Sequence, residues 1–346
     1  MSVFRQKNFL RSDRSLIVAE VSANHQQDFE KAVQLIKVAK ACGADAVKFQ
    51  AYEPETLTID ANNGYFQVIH PEWGGQTLYQ LYKKAYTPLY WLKDLKRIAD
   101  KEKIVFFATA FDKRTVDLLE DIDVPFHKIA SFELVDLSLV EYAAKMKKPL
   151  ILSTGMATLN EIRQAVNIAK NAGAKDIVLL KCVSSYPAKP EEMNLSTIAD
   201  MKKKFSCQIG LSDHTLGTAV SVAAVCLGAK VIEKHFTLSR RIKTPDSFFS
   251  IEPAELKELV SNVRLAEKAI GHVHYGLTAE EKGNLIFRRS LFAVEDIKSG
   301  EIITERNIRS IRPGNGAAPK YYKTLLGKKA RTDIKKGTPL KLDMVR

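Results

Sequence analysis

Eight short, nearly continuous apolar runs punctuate the chain: LIVAEVS (16–22), DAVKFQ (45–50), IVFFAT (104–109), FHKIAS (126–131), PLILST (149–154), DIVLLKC (176–182), QIGLSD (208–213) and KVIEKHF (230–236). Strands of a parallel sheet covered on both faces read this way, because neither face alternates with solvent. Between the runs, apolar residues recur at helical spacing. FEKAVQLIKVAKACG, LNEIRQAVNIAKNAG and TLGTAVSVAAVCLG end in Gly43, Gly173 and Gly228, where a left-handed cap stops a helix. A long amphipathic helix, EPAELKELVSNVRLAEKAIG, follows the eighth run. Eight strand–helix units within residues 1–271 predict an α/β fold of the (β/α)8 TIM-barrel type. A doubly wound open sheet is the other arrangement that such alternation permits.

Two stretches break the rhythm. After the second run comes a long excursion, AYEPETLTIDANNGYFQVIHPEWGGQTLYQLYKKAYTP (51–88). A loop of that length inside a compact domain is expected to serve as a lid or specificity element over the barrel mouth. After Gly271 the helical period fades. Residues 272–287 read as a linker, and 288–346 as a small β-rich domain with two similar turns, IKSG and IKKG.

The composition suits a globular chain: 346 residues, 45% hydrophobic and 27% charged. No apolar run approaches the roughly 20 residues a membrane span needs. The N-terminal stretch MSVFRQKNFLRSDRS lacks the apolar centre of a secretory signal, so a cytoplasmic, bacterial enzyme without membrane partners is expected. The formal charge of +13 admits nucleic acid, anionic lipid or small anions as partners. The lysines are scattered and form no basic patch with interleaved aromatics, which argues against nucleic acid and for acidic metabolites. Cys42, Cys182, Cys207 and Cys226 form no CxxC pair and sit in or beside apolar segments, where buried free thiols are expected.

Barrel enzymes carry their chemistry at the C-terminal ends of their strands. Those ends hold Glu20 and Asn24, Lys48 and Gln50, Thr109, Lys128 and Ser131, Ser153 and Thr154, Lys181 and Ser184, then Ser212, Asp213 and His214, and finally Glu233 and His235. A lysine inside an apolar run needs a partner, or a route for its head to reach the rim. With Ser131, Ser153 and Ser212 around them, the lysines outline a cup for phosphate or carboxylate. An isolated histidine at a strand end is more often a hydrogen-bonded core residue. Two on adjacent strands, with Glu233, Asp213 and Glu20 at hand, suit Mn²⁺, Mg²⁺, Zn²⁺ or Fe²⁺. One histidine acting as a general base is the alternative.

AEVSANH (19–25), DAVKFQ (45–50), HKIAS (127–131), LSTGM (152–156), IGLSDHT (209–215) and EKHFT (233–237) together resemble the sialic acid synthase family. RPGNG (312–316) and LLGKKARTDIKKG (325–337) resemble its C-terminal antifreeze-like, or SAF, domain of the β-clip type. The resemblance spans nearly the whole chain. It implies condensation of phosphoenolpyruvate with an amino sugar, with cleavage of a C–O bond and release of phosphate. It implies one divalent ion per subunit, Mn²⁺ first and Mg²⁺ or Co²⁺ as alternatives, on His214 and His235. Glu20 matches an essential carboxylate, and Lys48, Thr109, Lys128, Ser131, Ser153 and Ser212 match positions around phosphoenolpyruvate. Gln50, Tyr186, Glu233 and Asp246 match positions near the sugar or metal. A domain-swapped homodimer is also implied, in which Arg312 of one subunit reaches the sugar bound by the other.

One departure matters. The family often carries CTNxYP or CTSxYP after the sixth strand, whereas this chain has CVSSYP, placing Ser184 where an amide can stand near the phosphate. That motif, with TLTIDANNGYFQV and EWGGQTLYQLYKKAYTP, resembles the branch acting on 2,4-diacetamido-2,4,6-trideoxy-L-altrose. The 6-deoxy sugar calls for a more apolar pocket, for which Tyr65, Phe66, Trp73 and Tyr79 are candidates. A synthase of N-acetylneuraminate or legionaminate has the same mechanism and is the alternative. More remote are a metal-dependent aldolase and a non-catalytic sugar-binding protein.

Overall fold

The computed structural model describes residues 14–346. The stretch read above for the absence of a secretory signal lies, up to residue 13, outside the described residues. The chain divides into two compact units, one ending at Gly271 and one running from His272 to Arg346.

In the first unit the order is β1 (Leu16–Glu20), α1 (Phe29–Ala41), β2 (Ala46–Ala51), α2 (Pro54–Leu57), α3 (Leu78–Ala85), α4 (Leu92–Lys101), β3 (Val105–Ala110) and α5 (Lys113–Asp121). It continues with β4 (His127–Ile129), α6 (Leu137–Lys145), β5 (Leu150–Ser153), α7 (Leu159–Asn171), β6 (Ile177–Cys182), α8 (Ser196–Phe205), β7 (Gln208–Asp213), α9 (Ala219–Cys226), β8 (Val231–His235) and α10 (Pro253–Ile270). The strands pair in sequence order and close into a barrel, β8 lying parallel to β1 from Leu16↔Val231 to Glu20↔His235. The open-sheet alternative is thereby excluded.

Local chemistry sets the element ends. Thr158 and Glu161 form a reciprocal capping box at the start of α7, and the Asp28 side chain accepts from Lys31 N to start α1. Gly43 and Gly173, with φ of 90° and 107°, follow the helices they end. At the lower end of the barrel, Arg264 of α10 donates to Asp45 at 2.5 Å and to Ser15 O at 2.8 Å. That contact ties the last helix to the start of the sheet, so the polar mouth at the other end sits on a closed frame.

The excursion after β2 contains α2, α3 and an isolated antiparallel bridge, Gln67↔Thr77. It is anchored at its end by Thr87, whose hydroxyl lies 3.0 Å from Nε2 of the buried His25. Midway along, Trp73 Nε1 donates to Pro245 O at 2.6 Å, fastening it to the loop after β8.

The second unit contains β9 (Ser290–Ala293) antiparallel to β10 (Ile308–Ile311), over a core that includes Leu291, Ile297, Ile303, Ile308, Leu325 and Leu340. Its two similar turns face each other across an Ile297↔Ile334 bridge. Asp333 accepts from Ser299 N and pairs with Lys298, while Asp296 accepts from Lys336 N and pairs with Lys335. The shared DIKxG pattern is therefore one structural device used twice.

Candidate active site

Side chains of a strand alternate between faces, so positions two apart share the barrel interior. Glu20, Lys48, Gln50, Thr109, Lys128, Ser153, Cys182, Ser212, Glu233 and His235 come from the strands, and Ser131, Tyr186 and His214 from the turns just beyond. All line one recess of about 380 Å³. Seven of the eight strands thus bring in residues that the sequence places at the mouth, while β6 enters through Cys182.

Its floor is a buried charge cluster. Lys48 Nζ lies 2.7 Å from Glu20 Oε2 and 3.5 Å from Glu233 Oε1, and donates to Thr109 Oγ1 at 2.8 Å. Lys128 Nζ donates to Ser153 Oγ at 2.6 Å and to Ile129 O at 3.1 Å. Ser212 Oγ donates weakly to Glu233 Oε1 at 3.5 Å. Burial pulls Lys48 down, but the two carboxylates more than offset it and hold the ammonium above its ordinary value. Lys128 has no comparably close carboxylate, and burial lowers it. An anion entering here would face two ammonium groups already stripped of water.

The carboxylates are driven apart. Burial opposes ionisation of Glu233, yet Lys128, Lys48 and His214 pull it below its ordinary value. Glu20 has no exposed surface, and burial outweighs Lys48 to push it up to about 7. Its Oε1 is buried without a hydrogen-bond partner. Two acids whose environments separate them in this way take different proton-handling roles.

The same recess holds two imidazoles, His214 and His235, with ring centres 5.3 Å apart. His214 Nδ1 donates to Val183 O at 2.8 Å, which leaves Nε2 as the nitrogen for a metal; against burial, Cys182 and Val183 O raise this imidazole above its ordinary value, so a metal would displace a proton there. His235 Nδ1 is buried with no hydrogen bond, 3.8 Å from Asp246 Oδ2. Burial, then His214 and the surrounding lysines, keep His235 neutral, the form a metal ligand requires. Among the described residues no three His, Cys, Asp or Glu side chains converge as a ready-made metal cage. The donor set fits a divalent ion that takes two imidazoles from the protein and its other ligands from substrate or water.

Gly155, in the turn after β5, is required by crowding. A Cβ there would collide with the hydroxyls of Ser184 and Ser131, and the Gly155 N–H donates to Ser131 Oγ at 3.0 Å. The half-buried Ser184 therefore stands beside Ser131, outside the lining of the recess. Asp246 likewise stands behind His235, and its Oδ2 accepts from Ala23 N at 3.4 Å.

Four residues expected at the mouth face elsewhere. Asn24 bonds Phe236 O and Ser250 Oγ at 2.9 Å each, joining the turn after β1 to the loop after β8. Thr154 donates to Leu180 O. Lys181 alternates with Cys182 and lies outside the recess. Asp213 points away from the mouth to Lys234 at 2.9 Å, so it is no candidate ligand. Arg312 is exposed in the second unit. Of the loop aromatics only Trp73 comes near, 5.5 Å from the Tyr186 ring; Tyr65 is 93% exposed and Tyr79 donates to Glu55.

Three residues escaped the sequence reading. Cys182, taken for a plain buried thiol, lines the recess, and the neighbouring His214 pulls it down to about 7 against burial. Glu133, just beyond β4, is pushed up to about 7 by burial, with Oε2 unpartnered. Its place in FELVD, which reads as the approach to a helix, concealed it. Lys234 was hidden by its neighbour His235.

A closed (β/α)8 barrel whose C-terminal mouth joins buried ammonium groups, two separated carboxylates and an imidazole pair is built as an enzyme for small anionic substrates. The NeuB family profile matches residues 35–275 and the SAF domain profile residues 288–346. The chain belongs to the NeuB family. It is 44% identical over 334 residues to a pseudaminic acid synthase of Campylobacter jejuni, covering 96% of this chain and 97% of that one. A pseudaminic acid synthase of Helicobacter pylori is 42% identical over 328 residues, covering 94% and 96%. Among solved structures, an N-acetylneuraminic acid synthetase of Leptospira borgpetersenii in complex with citrate matches with a TM-score of 0.70 and 35% identity, over 78% of this chain and 90% of that one.

Proposed function

We propose that this chain condenses phosphoenolpyruvate with 2,4-diacetamido-2,4,6-trideoxy-L-altrose and water, giving pseudaminic acid and phosphate. The observation that carries the reading is the union, in one recess, of the Lys48–Lys128 anion site and the His214–His235 pair. Names of relatives above 40% identity over nearly the whole chain support the acceptor.

Lys48, Lys128 and the hydroxyls of Thr109, Ser131, Ser153 and Ser212 hold the carboxylate and phosphate of phosphoenolpyruvate. His214 and His235 would hold a divalent ion, Mn²⁺ by preference, which when bound polarises the open-chain aldehyde of the sugar as a Lewis acid. Carbon 3 of phosphoenolpyruvate attacks that aldehyde carbon, whose oxygen takes up a proton to become a hydroxyl; water adds at carbon 2, and the C–O bond to phosphate breaks as the carbon 2 hydroxyl gives its proton to the leaving phosphate and becomes the ketone. Glu20, poised near neutrality, takes the proton from the water, while Glu233 stays ionised and balances the two lysines. Tyr186 and Gln50 form the acceptor side, with Asp246 standing behind His235 and the half-buried Glu133 outside the lining. Trp73 and Phe249 back Tyr186, and Phe248 packs on both, giving an apolar wall that suits the 6-deoxy carbon.

Phosphoenolpyruvate labelled with ¹⁸O at the bridging position tests the bond cleavage. The label should leave in inorganic phosphate. Retention in the organic product would contradict the reading, and pyruvate as donor without phosphate release would support the aldolase instead.

A further inference from the structure

Behind the two histidines, on the outer face of the barrel, lies a charge pair that the proposed chemistry does not use. Lys234 Nζ is 2.9 Å from Asp213 Oδ2 and donates to Thr215 O at 2.6 Å. Asp213 Oδ1 accepts from Thr215 N at 2.9 Å and from Thr215 Oγ1 at 2.7 Å, while Oδ2 accepts from Ser221 Oγ of α9 at 2.6 Å. The side chains of Lys234 and Asp213 are 1% and 0% exposed.

Stability alone is a poor reason for this pair. Taking two charges fully out of water is costly, and an apolar pair of similar volume often holds a fold as well or better. A charge pair does offer direction. Asp213 and Lys234 are register partners across β7 and β8. His214 is the next residue after Asp213, and His235 the next after Lys234. The network fixes the peptide on both sides of His214 through Asp213 and Thr215, and joins it to the residue that precedes His235. One cluster thus clamps both imidazole-bearing backbones from behind.

We propose that Lys234 and Asp213, with Thr215 and Ser221, are positioning residues that set the separation and direction of His214 and His235 for a divalent cation. This rests on the metal reading above. Outer partners that orient ligating histidines typically contribute about ten- to a hundredfold in metal affinity.

The test is calorimetric titration of EDTA-stripped, full-length protein with MnCl₂, comparing wild type with the Asp213→Asn/Lys234→Met double variant, which removes both charges together. With far-UV circular dichroism unchanged, the dissociation constant for Mn²⁺ should rise by at least about tenfold. An affinity within twofold of wild type in a folded double variant would overturn the inference and leave the pair a structural feature, whatever happens to the melting temperature. Should the double variant not fold, Thr215→Val decides, since it removes one hydroxyl contact only. It should weaken Mn²⁺ on the order of threefold, as loss of a single hydrogen bond does, and unchanged affinity would overturn the inference. Wild-type protein that takes up no Mn²⁺ would overturn the metal reading itself, a result distinct from a variant that matches a binding wild type.

Discussion

At the scale of single residues, the site depends on charges that the protein has already desolvated. Glu20 and Glu233 share Lys48 yet are pushed in opposite directions: burial and the charge of Glu233 raise Glu20, whereas Lys128, acting more strongly on Glu233 than on Glu20, and His214 pull Glu233 down. Glu20→Gln should therefore lower kcat by about 10²- to 10⁴-fold, the range for losing a positioned acid–base group, while phosphoenolpyruvate affinity changes little. Steady-state kinetics with a separate binding titration check this, and equal loss of both would make Glu20 a binding residue. The sign with pH follows from its role. A base works when ionised, so kcat/KM should rise with pH through about 7 in the wild type, and that limb should vanish from the residual activity of Glu20→Gln.

At the scale of elements, the barrel was legible because each apolar run is buried on both faces and each helix carries its own period and cap. All eight strands fall within the predicted runs or within one residue of them. The direction of polar side chains was less legible. Alternation assigns a face only once register is known, which is why Asp213 and Lys181 looked like mouth residues while Cys182 did not. Residues in turns, such as Glu133 and Asn24, follow no period at all. The excursion after β2 was recognisable by length, but not which of its aromatics turns inward. Trp73 does so, held by Pro245 O and packed on Tyr186 and Phe248. Trp73→Ala should raise KM for the sugar by up to about tenfold, an aromatic contact's worth, with KM for phosphoenolpyruvate unaltered. A rise confined to phosphoenolpyruvate would move Trp73 away from the acceptor side.

At the scale of the whole molecule, the barrel carries the chemistry and the SAF unit carries Arg312, exposed in a turn. We propose, from the family resemblance alone, that this arginine contributes in trans within a homodimer. Verified mixed dimers of Arg312→Ala and His214→Ala subunits should then regain part of the activity each variant lacks alone, because one of the two sites is whole; no rescue would place Arg312 outside the reaction. Two buried ammonium groups, Lys48 and Lys128, stand at the barrel mouth. The proposed reaction depends on what those groups bring together. Its most direct test is incubation of the enzyme and Mn²⁺ with phosphoenolpyruvate and, side by side, 2,4-diacetamido-2,4,6-trideoxy-L-altrose or N-acetylmannosamine, with products identified by mass and NMR. Stoichiometric phosphate and pseudaminic acid should form from the altrose derivative, whereas turnover of N-acetylmannosamine alone would contradict the proposed reaction.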